Sequence, residues 1–255
     1  MKVVIVGTGN VATQITKQCV TLGIDIEVRA RHRHNNLFSE LTHAIDHPIS
    51  SDTNLVLLCI SDSSIPSVCS ILTLEGNNTV LAHTSGATPI DVLHHPKCNS
   101  IGVFYPLQTI RKNATLDWRN IPICITANDD YATATLKELA NKLSERVEEI
   151  SDEQRAILHL TAVITNNFFN HLCVLANDEL VKNKLDFSLL ASLLNESIVK
   201  VTASPPDLTQ TGPAKRNDQV TISRHLKILQ DDPALLTIYK TLTQSIQNYE
   251  NKTTN

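Results

Sequence analysis

Gly7-Thr8-Gly9-Asn10-Val11-Ala12 sets two glycines and an alanine at the spacing G-x-G-x-x-A, directly after the apolar run Val3–Val6. That spacing suits phosphate chemistry. Gly7 permits a tight turn out of a strand, Gly9 lets backbone approach a pyrophosphate, and Ala12 lets a following helix pack on a sheet. The unpaired N–H groups at the helix start, together with the positive end of its dipole, then face the phosphates around Thr8, Asn10 and Val11. The end of the next strand selects the dinucleotide. An acid there would hold ribose hydroxyls, yet Ile26-Glu27-Val28-Arg29-Ala30-Arg31-His32-Arg33 keeps Glu27 inside the strand and puts Arg31 and Arg33 past its end. Guanidinium groups at that place fit a 2′-phosphate, hence NADP rather than NAD. The plain alternatives are a strand–turn–helix corner and solvated arginines.

Three further segments follow apolar runs and so fall at strand carboxyl ends, where ligands sit in an open α/β sheet. Ser61-Asp62-Ser63-Ser64 follows Leu55–Ile60 and is expected beside the cofactor. His83-Thr84-Ser85-Gly86 offers His83 and Ser85 to a substrate pocket, and Tyr105-Pro106-Leu107-Gln108 offers Tyr105 and Gln108. Each could equally be a hydrogen-bonded structural residue. A very apolar helix carries His159, Asn166 and Asn170 within about 40° of one another at 100° per residue, with Asn167 about 80° from His159. Such a stripe needs partners, from other helices, a second subunit or a substrate. Lys215 and Arg216, in a loop with three prolines and a glycine over 204–218, could bind a carboxylate, donate a proton or face water.

The elements that must hold these groups divide the chain in two. Up to residue 150, short Val- and Ile-rich runs (Val3–Val6, Ile24–Val28, Leu55–Ile60, Val80–Ala82, Ile101–Tyr105, Ile121–Ile125) alternate with helix-like stretches. Continuously apolar runs of this kind read as strands of a parallel sheet covered on both faces, an α/β doubly wound Rossmann-type domain over 1–150. Asn10 to Leu22 reads as its first helix, with Gly23 as the stop. Ser151-Asp152-Glu153-Gln154 is a capping box that opens a helix to Lys182, about 48 Å long. Further helices are expected over Phe187–Val201 and from Asp232-Pro233 to Tyr249, giving an all-helical domain over 151–255 for substrate binding and dimerisation.

Composition narrows the classes. A formal charge of −4 with 22 scattered basic residues argues against nucleic acid or an anionic membrane as partner. No run approaches the roughly 20 apolar residues of a membrane-spanning helix. The first residues have too short an apolar stretch for a signal peptide. The six cysteines are far apart without CxxC pairs, which reads as reduced core thiols of a cytoplasmic protein rather than a zinc site, and no metal is expected.

The stretches VGTGNVAT (6–13), HTSG (83–86), GVFYPLQT (102–109), EQRAILHLTAVITNNFFNHL (153–172) and TGPAKRND (211–218), with His225 after them, resemble a family of Rossmann-like NADP-dependent oxidoreductases. The helical domain of that family is related to those of 6-phosphogluconate dehydrogenase, pyrroline-5-carboxylate reductase and ketopantoate reductase. The resemblance covers nearly the whole chain. It implies the fold, NADP as cofactor and a homodimer. It also implies that Asn167, with Asn166 second, faces nicotinamide and substrate. Some relatives carry a proton-donating lysine one turn before that asparagine, and here the position is Val163. The acid must then come from His159, His83, Tyr105, Lys215 or Arg216. Asn217 stands where the family has glycine. The function expected is transfer of hydride between NADP and a small carbonyl or imine substrate. The other reading is a nucleotide-binding sensor or scaffold with a dehydrogenase fold and no turnover, which the missing lysine favours and the clustered polar motifs do not.

Overall fold

The computed structural model describes residues 1–31 and 38–253. The chain forms two compact units, Met1–Val163 and Ile164–Asn255. The first unit is a single sheet with strands β1 (Lys2–Val6), β2 (Asp25–Ala30), β3 (Thr42–Ala44), β4 (Leu55–Leu58), β5 (Val80–His83), β6 (Ile101–Pro106), β7 (Ile123–Ala127) and β8 (Val147–Glu149), in the order β3-β2-β1-β4-β5-β6-β7-β8. Helices α1 (Asn10–Thr21), α2 (Ile65–Ile71), α3 (Asp130–Leu143) and α4 (Asp152–Ala162) complete it.

The reason for the apolar runs is visible in the core. Val3 and Ile5 pack into one cluster with Ile15 of α1 and Leu136 of α3, while Val4 and Val6 pack into another with Ile65 and Val68 of α2. Both faces of the central strands are therefore dry, and alternation disappears from their sequence. The first helix stops where its sequence says it should. Gly23 takes φ +66°, its N–H donates to the Val20 carbonyl at 3.1 Å, and the Ile24 N–H donates to Cys19 at 3.0 Å, the two bonds of a Schellman stop.

Two expectations need correction. The sheet is not parallel throughout, because β7 runs antiparallel to β6. The connection between them holds a single 3-10 turn, Trp118–Asn120, and no crossover helix, so the chain can only return beside β6 in the opposite sense. Two short strands, β3 and β8, also lie outside the expected set. They are three-residue strands at the ends of the strand order, and such edge strands bury too little to leave an apolar signature.

The capping box forms as its sequence suggests. Ser151 Oγ accepts from the Gln154 N–H at 3.2 Å, and Gln154 Oε1 accepts from the Ser151 N–H at 2.9 Å. The helix after it is interrupted. A π-helical turn, Val163–Phe168, separates α4 from α5 (Phe169–Lys182), so the 100°-per-residue register assumed for the polar stripe does not run through it.

The second unit continues with α6 (Ala191–Ala203), the single turn α7 (Pro206–Thr209), α8 (Gln219–Ile228) and α9 (Pro233–Thr253). Asp218 and Asp232 cap α8 and α9 through the Thr221 and Leu235 N–H groups, each at 3.0 Å. Asn217 takes φ +51°, the left-handed conformation that glycine favours and asparagine tolerates. Its side-chain oxygen accepts from Gln219 Nε2 and from Gln247 Nε2 of α9. No helix among the described residues is long and apolar enough to cross a membrane.

Candidate functional site

In this strand order the chain winds outward from β1 in both directions, which makes β1 and β4 the switch point where open sheets bind ligands. A cleft of about 600 Å³ opens there. Gly7, Thr8, Gly9, Asn10, Val11, Arg31 and Ser61 all line it. Gly7 sits at φ +123°, and a Cβ on it would fall onto the Cys59 carbonyl at the end of β4. Its N–H donates to the Arg29 carbonyl of β2 at 2.9 Å, so the turn is stitched to both neighbouring strands. A Cβ on Gly9, by contrast, would meet nothing within 4 Å. Gly7 is thus demanded by the protein itself, and Gly9 leaves open space. No side chain caps α1, so its first N–H groups stay available to an anion. Glycine-lined space at an uncapped helix start is the cradle that a dinucleotide pyrophosphate needs, and the residues present fit it.

Arg31 is exposed at the cleft, while Arg33 lies outside the described residues. Arg29 also lines the cleft, and the sequence reading passed it over. It is buried, paired with Glu27 at 2.9 Å, and bonded to the carbonyls of His47 and Pro48. Glu27 pairs with Lys2 as well, so this carboxylate is engaged by two cations. Cys59 lies in the wall, and burial pushes its thiol up to about 12, which keeps it protonated and unreactive.

The groups after β5 have a different character from the one expected of them. His83 is fully buried. Its Nε2 lies 3.3 Å from the Pro89 carbonyl, and its Nδ1 accepts the Ser85 N–H at 3.2 Å. Burial lowers its pKa to about 4, so the ring is neutral at neutral pH and holds the loop. Ser85 Oγ has one proton and donates it to Asp62 Oδ2 at 2.8 Å. It also contacts the Thr88 hydroxyl and accepts from the N–H groups of Ala87 and Thr88. Both residues expected to face a substrate here are committed to shaping the 83–90 loop. Asp62, exposed between Ser61 and Ser64, serves as the far anchor of Ser85.

That loop carries Gly86, and Gly86 carries a pair of side chains. Tyr105, near the end of β6, has its hydroxyl 3.2 Å from His159 Nδ1 on α4, with the rings edge-on at 6.0 Å. A Cβ on Gly86 would lie 2.6 Å from His159 Nδ1 and 2.7 Å from Tyr105 Cζ, so only glycine leaves room for the pair. The base of α4 is clamped to the same loop by Arg155, which is buried one helical turn before His159. Arg155 pairs with Asp152 at 2.6 Å and donates to the Thr126 hydroxyl of β7 and to the Thr88 carbonyl. Asp152 in turn accepts the Ile90 N–H at 2.9 Å. The need for glycine at 86 and the clamp at 155 are both invisible in the sequence, because they depend on contacts between residues far apart along it. Gln108 is exposed and accepts the N–H of its neighbour Thr109.

The remaining candidates belong to the second unit. Asn166 and Asn167 lie in the π-helical turn and Asn170 in α5, all three exposed. Lys215 pairs with Glu250 of α9 at 3.3 Å, and Arg216 is exposed.

Known proteins resemble this chain in sequence and in fold. Residues 121–246 match a family profile described as a domain of unknown function, DUF2520. No curated protein matches the chain in sequence. Among solved structures, a "putative NADP oxidoreductase" from Bacteroides fragilis is 32% identical, superposes with a TM-score of 0.85, and is covered over 98% of its chain by 97% of this one. A protein of Thermotoga maritima is 20% identical with a TM-score of 0.76, over 99% of this chain and 100% of that one. A reductive aminase from Aspergillus terreus, in complex with NADPH and ethyl levulinate, shares the fold at 12% identity and a TM-score of 0.66, over 97% of this chain and 94% of that one. With 32% identity along almost its whole length to the Bacteroides protein, the chain belongs to that protein's family, the Rossmann-like oxidoreductases whose helical C-terminal region resembles that of 6-phosphogluconate dehydrogenase.

Proposed function

We propose that this protein is an NADP-dependent oxidoreductase that transfers hydride to or from a small carbonyl or imine compound. The observation that carries the reading is the cleft at the β1/β4 switch point, with Gly7 forced by the Cys59 carbonyl, Gly9 open, and Arg31 at its edge. Its Bacteroides relative bears the name of an NADP oxidoreductase, and the Aspergillus aminase holds NADPH with a keto ester. When bound, the cofactor supplies hydride and an electron sink. The chain supplies the rest. The first turn of α1 binds the pyrophosphate, Arg31 meets the 2′-phosphate, Ser61 flanks the cofactor, and the Tyr105–His159 pair faces the reacting group. Asn167 and Lys215, both in the second unit, are the remaining candidates for contact with substrate.

The working form is a homodimer. Only Ala214, Ile222 and Leu229 are buried apolar residues of the second unit among those described. Exposed apolar residues of α6, at 193, 198, 199 and 201, point to all sides of that helix at 100° per residue. A helix apolar all round belongs inside a larger assembly, and a second copy offers the same surface in return. The six free cysteines favour a reducing compartment, the cytoplasm.

Fluorescence titration tests the cofactor. NADPH should bind more tightly than NADH. Arg31→Ala should cost NADPH tenfold or more, since losing a charge-assisted bond costs about 1.5–3 kcal/mol, while hardly touching NADH. Equal affinities in the parent protein would sink the NADP assignment.

A further inference from the structure

We infer that Tyr105 is the proton donor of the reaction and that His159 positions it and restores its proton, both seated on Gly86. This rests on the oxidoreductase reading above. The argument begins with how the polar groups at the strand ends are occupied. His83 spends both ring nitrogens on the loop, and Ser85 spends its single proton on Asp62. Lys215 is engaged with Glu250. The Tyr105 hydroxyl is different. It meets a neighbouring imidazole, it is half-buried at the carboxyl end of β6, and a phenol oxygen can accept from that imidazole while its own proton points elsewhere.

The surroundings hold this arrangement without offering a competing acid. The ionisable groups that act on Tyr105 are Arg155 from α4 and Cys124 from the facing position of β7. Burial, which outweighs both, keeps the Tyr105 phenol above its ordinary range, so the protonated donor form is the one present at neutral pH. Glycine at 86 allows the contact, and the Arg155 clamp fixes the helix turn from which His159 projects.

The step balances as follows. The carbonyl carbon gains a hydride, with its two electrons, from a reduced nicotinamide dinucleotide. The C=O π pair moves onto oxygen, and that oxygen takes the Tyr105 proton as the O–H bond of the phenol breaks. The Nδ1–H of His159 then passes its proton to the phenolate while Nε2 takes one from a water molecule, which leaves as hydroxide into the solvent, and proton exchange with solvent returns the uncharged ring to its Nδ1–H tautomer for the next turnover. An imine nitrogen would take the place of the carbonyl oxygen unchanged in the scheme.

The test has two arms. The first uses the protein without cofactor: tyrosinate absorbance is titrated in the parent, Tyr105→Phe and His159→Ala. The parent-minus-Tyr105→Phe difference isolates this phenol, which should titrate above the ordinary tyrosine range and rise further in His159→Ala, where the phenolate loses the Nδ1–H that donates to it. The second follows NADPH oxidation over small keto acids, aldehydes and cyclic imines. Tyr105→Phe should lower kcat about 100-fold or more with the NADPH dissociation constant unchanged, and added imidazole should partly restore His159→Ala. An unmoved titration, or parent-like turnover by Tyr105→Phe, overturns the assignment while leaving the oxidoreductase reading intact. A coupled titration with tight NADPH binding but no turnover on any compound overturns that reading, and the donor role with it.

Discussion

Among the described residues, the first unit hides most of its apolar side chains on both faces of a sheet, whereas the second leaves many of its own exposed. Val3, Val4, Ile5 and Val6 are all fully buried, yet Val181, Leu189 and Leu193 are each more than 60% exposed. Both halves are rich in Leu, Ile and Val, so the difference is not one of composition. It lies in what surrounds each element. A β1 side chain meets helices on either side of the sheet within its own unit. The helices of the second unit have too few neighbours among themselves. Each Leu, Ile or Val moved out of water contributes about 1.5–3 kcal/mol, so a surface of this kind has a large driving force to find its complement.

The sharpest way to break that comparison is to charge the exposed surface. If α6 lies in the two-fold interface proposed above, Leu193→Asp should dissociate it, because a buried unpaired charge costs about 3–5 kcal/mol and such an interface suffers it twice. Light scattering should give twice 28.2 kDa for the parent and one chain's mass for the variant, with the second unit cut quickly by protease while the first survives. A parent already at 28.2 kDa at micromolar concentration would mean that the second unit stands alone as it is.

A smaller effect, confined to the first unit, is expected from Gly7→Ala. The added Cβ collides with the Cys59 carbonyl at a φ that side chains rarely adopt, which should cost about 3 kcal/mol in urea unfolding and abolish detectable NADPH binding. Gly9→Ala is the control. Nothing lies within 4 Å of its Cβ, so stability should hold while cofactor affinity falls. If the two variants unfold alike, the division of labour between the glycines is wrong.

The same contrast decides what could be read from the sequence. The opening turn, the Schellman stop at Gly23, the capping box at Ser151 and the cap at Asp232 are local, each satisfied by residues a few positions away, and each stands where its residues point. The antiparallel turn into β7 depends on what a 16-residue connection lacks, and β3 and β8 are too short for any period to show. The π-helical turn at 163–168, Val-Ile-Thr-Asn-Asn-Phe, carries no residue that would mark it in a sequence read at helical period. At the site, residue type identified His83, Ser85, Tyr105 and His159, but not which of them were already spent. That depends on partners such as Pro89, Asp62 and Gly86, which only the folded loop brings near.

His83 gives the smallest of these effects and the most specific. Its ring is neutral in the folded chain down to about pH 4, whereas in the unfolded chain it takes a proton near the ordinary histidine pKa of 6.5. Below 6.5 the unfolded state therefore binds a proton that the folded state refuses, and stability falls with pH until the folded pKa is reached. The loss is about 2 kcal/mol by pH 5 and about 3 kcal/mol near pH 4. His83→Gln keeps a donor for the Pro89 carbonyl and an acceptor for the Ser85 N–H, and it does not titrate. It should start somewhat less stable at pH 7 and then lose about 2 kcal/mol less than the parent on going to pH 5. Urea unfolding at fixed protein concentration at the two pH values reads this difference directly, because the carboxylates common to both proteins cancel. Equal losses would mean that His83 is protonated in the folded chain after all, and it would return to the group of residues able to give a proton to the substrate.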